Sequence, residues 1–322
     1  MSTANFPSGF MNGVTIRGIP INLTNTGLVF WVGNATTLLR NQSQGSDQNK
    51  GDFNHPFATL NYASTQCVAS RGDIIMVKAG HSEAITTTLT CAMATAGVAV
   101  VGLGYGSMRP KFTVGTSGAN TNTISVTADN VSFTNCQFVA NFLSTAACFT
   151  LTTAKQFTLQ NCTITDTSSI KNFLNVVKST GAANTIDGIS ITECTWVGLA
   201  STSTNSMLLS ANDIDSLVFN RNRIQLARTV DAVPGITISA GVVTNAEIGD
   251  NCIISQQTAT TGGSLISVGG STSSGTVYRN YVGTLTSTAD KIFTTTSGLW
   301  AFENRVAGAI GATGFVIPAV DS

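Results

Sequence analysis

Val131-Ser-Phe-Thr-Asn-Cys-Gln-Phe138 sets out a phrase of apolar, any, apolar, any, any, Cys or Asn, any, apolar, and six further copies follow it. They run from Phe157 to Ile164, Ile189 to Trp196, Leu217 to Ile224, Ala246 to Ile253, Gly275 to Val282 and Leu299 to Val306. Their closing apolar residues, 138, 164, 196, 224, 253, 282 and 306, lie 26, 32, 28, 29, 29 and 24 positions apart. A period in this range marks a solenoid, in which each copy is a supersecondary unit that buries its face only against its neighbours. Short strand candidates fill each period: Met207-Leu-Leu precedes Leu217-Val-Phe, and Ile236-Thr-Ile-Ser follows. The period is too long for hexapeptide coils, and no helical heptads occur. About three strands per coil satisfy both the period and the alternation, which predicts an all-β, right-handed parallel β-helix. A β-sandwich is the alternative architecture, but it would not explain seven phrases in one internal register.

Composition points the same way. Only 10% of the 322 residues are charged, the net charge is zero and 42% are hydrophobic, the reverse of a disordered chain. Thr, Ser, Asn, Gly, Val and Ile abound where helix formers are scarce. With 16 Lys plus Arg balanced by 16 acids, no electrostatic footprint for nucleic acid is present. Met1-Ser-Thr-Ala-Asn-Phe-Pro reads as carrying no cleaved signal, and no apolar run reaches the roughly 18 residues of a membrane span. Seven Cys without a CxxC, beside only His55 and His81, predict free buried thiols made in a reducing cytoplasm, with no metal and no cofactor.

Four segments are expected. Residues 1–27 form an extended arm broken by Phe6-Pro-Ser-Gly, Asn12-Gly and Gly18-Ile-Pro, with little to pack within itself. Residues 28–97 open and cap the helix, with a strand at Leu28 to Val32, a polar loop from Asn41 to Asn54 and a helix from Ala58 to Ser70. The apolar face of that helix is predicted as Ala58, Leu60, Tyr62, Ala63 and Val68. A buried strand at Ile74 to Val77 follows, then a turn through Gly80-His-Ser-Glu. Residues 98–306 are the coils, and the nearly uncharged 307–322 forms a cap or a docking tail.

Equivalent positions of successive coils stack at about 4.8 Å, so the phrases read as columns. Cys136, Cys162, Cys194, Asn222, Asn251, Asn280 and Asn304 form an internal scaffold, with Asn suited both to ladder hydrogen bonds and to a left-handed corner. The coil spacing would allow a disulfide between neighbouring thiols in it, but three in a row would leave one unpaired. The preceding column alternates in sign from Glu193 through Arg221, Asp250 and Arg279 to Glu303, predicting an external ion-pair ladder. An Arg between two carboxylates keeps both ionised, which opposes the raised pKa that a glycosidase acid needs. Asp213 and Asp215 read as turn residues with a metal site as the alternative, and neither His55 nor His81 has a nucleophile motif beside it. Gly102-Leu-Gly-Tyr-Gly106 lacks a following helix and a Lys, so it reads as a turn. Phe138, Trp196, Trp300 and Phe302 read as core.

Gly45-Ser-Asp47, Pro56-Phe-Ala-Thr-Leu60, Gly72-Asp-Ile-Ile-Met-Val77 and Gly80 resemble the opening of pectate-lyase-like right-handed β-helix proteins, where a short helix caps the first coil. The calcium-binding Asp clusters, catalytic Arg and paired Asp motifs of the enzymes in that superfamily have no counterpart here. The arm from Phe6 to Pro20 is similar to β-helix proteins among bacteriophage virion structural genes. That resemblance implies a non-enzymatic particle component, a capsid decoration or cement protein or part of a head or tail fibre, located in the virion after assembly in the host cytoplasm. Its implied partners are its own copies in a homotrimer and a major capsid or other virion protein, with no nucleic acid and no membrane. The predicted docking residues are Phe6, Phe10, Met11 and Ile19 in the arm and Phe315 and Ile317 in the tail. The alternative is a tailspike-like β-helix that binds or depolymerises a host surface glycan.

Overall fold

The computed structural model describes residues 14–16, 19–21, 27–34, 42–86, 91–115, 121–183, 185–201, 206–228, 235–255, 264–268, 272–284, 291–293 and 298–307. Three parallel sheets form the walls of a right-handed β-helix. The first has ten strands, from Val29–Val32 and Ile74–Val77 through Ser132–Thr134 to Trp300–Phe302. The second has nine, from Ser82–Ile85 through Gln137–Ala140 to Arg305–Ala307, and the third has eight, from Cys91–Met93 to Lys291–Phe293. The opening segment already contributes strands to all three sheets, and Ile74–Val77 pairs with Val29–Val32 on one side and Ala99–Gly102 on the other.

Each phrase is the end of a ten-stranded-sheet strand, a corner, and the start of a nine-stranded-sheet strand. Phe133 therefore pairs with Val100 and Leu159, and Phe138 with Phe112 and Ile164, so like positions stack and the apolar ones face inward. Phe133, Phe138, Phe149 and Phe157 are fully buried, and Phe149 lies 4.9 Å from both Phe133 and Phe138 in edge-to-face contacts. Such pairs add about 0.5–1.5 kcal/mol beyond the area they bury.

The corners are made by left-handed residues. The column predicted as the ion ladder has positive φ at every member: Asn135, Asn161, Glu193, Arg221, Asp250, Arg279 and Glu303 lie between 49° and 59°. The left-handed role thus falls one position before the Cys/Asn column. A second left-handed column closes the other end of the same strands, at Asn130, Gln156, Gly188, Ser216, Asn245 and Gly298.

The first coil is closed by the polar loop. Trp31 N–H donates to Gly51 O and its carbonyl accepts from Phe57 N–H, both at 2.8 Å, so the outer edge of Val29–Val32 is covered. Asp47 accepts from the N–H groups of Ala58 and Thr59 and from the Thr59 hydroxyl, and Thr59 caps the helix Leu60–Gln66. This helix is shorter than predicted because Asp73 takes the Val68 N–H at 2.7 Å and draws the chain out of the helix, leaving Val68 50% exposed. The predicted turn ends at Gly80: His81 and Glu83 are buried, and one Glu83 oxygen accepts both His81 Nε2 at 3.1 Å and Leu60 N–H at 2.9 Å. In the arm, Val14–Ile16 pairs antiparallel with Ile19–Ile21, so a hairpin stands where no internal pairing was expected.

Asp73 ties the cap together. Burial alone would raise its pKa, but the Arg71 guanidinium, at 2.7 Å through two nitrogens, and the N–H groups of Val68 and Leu28 outweigh burial and hold it below the ordinary value. A carboxylate with a depressed folded pKa contributes stability in full above the unfolded value, about 4, and loses it as pH falls through the folded one. The urea midpoint is therefore expected to drop below about pH 4. Asp73→Asn should flatten that part of the profile while lowering stability at neutral pH by about 1.5–3 kcal/mol.

Candidate functional site

Polar groups concentrate at the two corners and on the last coils. At the first corner, a left-handed residue turns the next N–H into the core, where no strand can accept it. The asparagine column fills that role. Asn222 Oδ1 accepts from Cys194 N–H at 3.0 Å, Asn251 from Asn222 at 2.9 Å, Asn280 from Asn251 at 3.0 Å and Asn304 from Asn280 at 3.0 Å. Each Nδ2 donates back to a carbonyl of the preceding coil: Ile191, Phe219, Ile248 and Val277. The Cys162 and Cys194 thiols point at the same carbonyl position, that of Phe133 and Leu159. This column is buried throughout, as the sequence predicts. Cys67, Cys136, Cys148, Cys162, Cys194 and Cys252 are free. Burial pushes the Cys136 and Cys194 thiols well up, so they stay protonated and inert at neutral pH.

Outside the corner, the alternating charges resolve into two separate pairs. Arg221 meets Glu193 at 2.9 Å, and Arg279 grips Asp250 through Nε and Nη2 at 2.7 and 2.9 Å. The Arg279 hydrogen bonds hold the Asp250 carboxyl below its ordinary pKa. These side chains are largely solvated, so each pair contributes at most about 1 kcal/mol.

The second corner carries Asp129, Lys155, Asp187 and Asp215 along a shallow groove of about 350 Å³. Its carboxylates bridge coils. Asp129 accepts from Lys155 N–H, Asp187 from Asp215 N–H and from Lys155 Nζ, and Asp215 from the Thr244 hydroxyl and Asn245 Nδ2. The hydrogen bond from Thr244, with those from Asn245 and Ser216, keeps the Asp215 pKa low. Asp213 accepts from Val242 N–H at 2.8 Å. Among the described residues no group of three His, Cys, Asp or Glu is arranged to hold a metal. His55 pairs with Asp52 at 3.0 Å in the exposed loop.

Phe138 and Trp196 are core, as predicted, but Trp300 and Phe302 are not: they are 77% and 46% exposed. Both occupy outward positions of their strand, flanking the inward Ala301. The predicted docking residues Phe6, Phe10, Met11, Phe315 and Ile317 lie outside the described residues, and Ile19 falls in the arm hairpin.

Fold and corners together define a β-helical rod whose polar residues mostly link neighbouring coils. No protein-family model matches the chain, and no curated protein matches it. Among solved structures it is similar to a rhamnogalacturonan lyase, at 14% identity and a TM-score of 0.42, covering 89% of this chain and 79% of that one. It is also similar to a GH136 lacto-N-biosidase from Eubacterium ramulus, at 8% identity and a TM-score of 0.37, covering 88% of this chain and 68% of that one. The β-helix assignment rests on the strand registers themselves.

Two outcomes test the ladder. Asn251→Ala should destabilise the rod by about 1–3 kcal/mol for each buried group it orphans, the Asn222 N–H first among them, as read by chemical unfolding. In the native chain Cys136 and Cys194 should resist alkylation, with modification detected by mass spectrometry only once the rod is unfolded.

Proposed function

We propose that the chain is a non-enzymatic structural rod of a virus particle, a capsid decoration or a head or tail fibre component that assembles with its own copies and with another virion protein. One observation carries the non-enzymatic reading. Six corner carboxylates, Asp129, Asp187, Glu193, Asp213, Asp215 and Asp250, are each engaged by a neighbouring coil, with Glu303 of the last coil outside that set. Asp215 and Asp250 are also held at low pKa, where hydrolysis of a glycoside requires one carboxyl kept protonated. The virion context comes from the likeness of residues 6–20 to phage structural proteins. A stiff body with a short ribbon of mostly apolar residues at Val14–Ile16 and Ile19–Ile21 suits attachment through the arm.

The expected result is that purified particles contain the chain in fixed stoichiometry and release it as a trimer on mild dissociation. Host surface polysaccharide incubated with the isolated chain should keep its length. Release of oligosaccharides, or absence of the chain from particles, would overturn the reading.

A further inference from the structure

The ten-stranded sheet turns an almost uncharged face outward between two charged corners. From Ser132 and Thr134 to Trp300 and Phe302, the outward positions of its strands hold one charged side chain, Glu247. One flank of that face carries Glu193, Arg221, Asp250 and Arg279, and the other carries Asp129, Lys155 and Asp187. Ser and Thr recur along its first coils, whereas Tyr278, Trp300 and Phe302 close it. This aromatic end is built rather than incidental. A Cβ on Gly249 would sit 2.3 Å from the Tyr278 ring, so only glycine lets that ring lie there. Tyr278 stacks on Phe302 at 5.5 Å and 12°, and the Arg279 guanidinium lies 4.9 Å from the centre of its ring. The Tyr278 hydroxyl donates to Glu247 at 2.8 Å, so the one charge on the face is already engaged. Loss of charge together with Trp, Tyr and Arg is the composition of the buried centre of a protein–protein interface.

The charges at the rim of the aromatic end identify the partner. Arg279, Tyr281, Glu303 and Arg305 line a cleft of about 400 Å³ there. Arg279 is held by Asp250, but among the described residues neither Glu303 nor Arg305 has an ion-pair partner. Both are exposed, and Tyr281 between their strands is 39% exposed. An acid and a base left side by side call for a partner that presents a base and an acid in the opposite order. Another copy of the same surface does so automatically, because in a symmetric contact each residue of the pair meets the other's counterpart. We infer that this face is the docking surface for a second copy of the chain, with Trp300 and Phe302 at the centre of the contact and Arg305 paired with the partner's Glu303. The same pairing closes in a two-fold contact and in a ring of three. Zero net charge leaves no long-range repulsion between copies. The inference rests on the self-assembly proposed above and gives it a surface.

Analytical ultracentrifugation of the full chain tests it. The native chain should assemble at micromolar concentration. Trp300→Ser should raise the dissociation midpoint at least about 30-fold, the weight of a central interface aromatic. Arg305→Glu and Glu303→Arg should each raise it about tenfold, and combining the two should restore assembly. All three side chains are exposed, so circular dichroism should stay that of the native chain. Acrylamide quenching of Trp300, taken as the difference from Trp300→Phe, should fall as the protein is concentrated. Assembly that survives Trp300→Ser overturns the inference and leaves the virion reading standing, with another surface joining the copies. A native chain that stays monomeric overturns it together with self-assembly, while the presence of the chain in particles is decided separately. A double swap that fails to restore assembly overturns the Arg305–Glu303 pairing. Protection of Trp300 that is independent of concentration assigns the face to the chain itself, and protection that appears only with added oligosaccharide assigns it to a glycan; either result overturns the docking of a second copy.

Discussion

A backbone that turns a sharp corner once per coil strands one amide N–H in the core, and the rest of the rod is arranged around that donor. The bend comes from a left-handed residue such as Glu193, Arg221 or Asp250, a conformation that costs a non-glycine residue about 1–3 kcal/mol. The bend persists because its neighbours over-determine it. The left-handed residue's own N–H still reaches the next coil, as Glu193 does to Asn220 O at 3.0 Å, while the following N–H finds an asparagine oxygen. With both ends of the ten-stranded sheet bent this way, each of its strands is held short and straight between two fixed corners. The aromatic core then stacks in register without slippage.

The same economy explains why the corner charges do little chemistry. Once the backbone is satisfied inside, the left-handed side chains project into solvent, where neighbouring coils offer partners of opposite sign. At the second corner Asp129 and Asp187 accept backbone N–H groups of the next coil, which adds side-chain stitches to the backbone bonds and to the short parallel pair of Ile214–Asp215 with Val243–Thr244. Both corners therefore act as fasteners along the rod. Among the described residues, Tyr281, Trp300 and Phe302 stand exposed together in the last two coils.

The architecture was legible because the period repeats and because strand parity is strict: Phe133, Phe138, Ile191 and Trp196 all face inward as the phrase requires. The left-handed position was not, because Asn intrinsically favours that conformation and the buried Asn column drew the assignment, whereas register places Glu and Arg there instead. Trp300 and Phe302 were misread for a different reason. Their size suggested core, but Leu299 and Ala301 hold the apolar places of that phrase, so parity alone would have turned both outward. The His81–Glu83 pair had no sequence signal beyond proximity, since its third member, the Leu60 N–H, comes from 23 residues away. The helix ended early because Asp73 competes for Val68 N–H, a contact no local propensity encodes.

The asparagine ladder points one way. Every amide oxygen in it serves the coil before, so each coil is completed by the one synthesised after it: Asn280 by Asn304, Asn251 by Asn280. From Cys194 to Asn280, a rod emerging from the ribosome thus ends in one buried donor still waiting for its acceptor, and folding there trails synthesis by a full coil. Growth has a built-in direction, and an interruption anywhere along the message leaves a raw, adhesive face at the newest end.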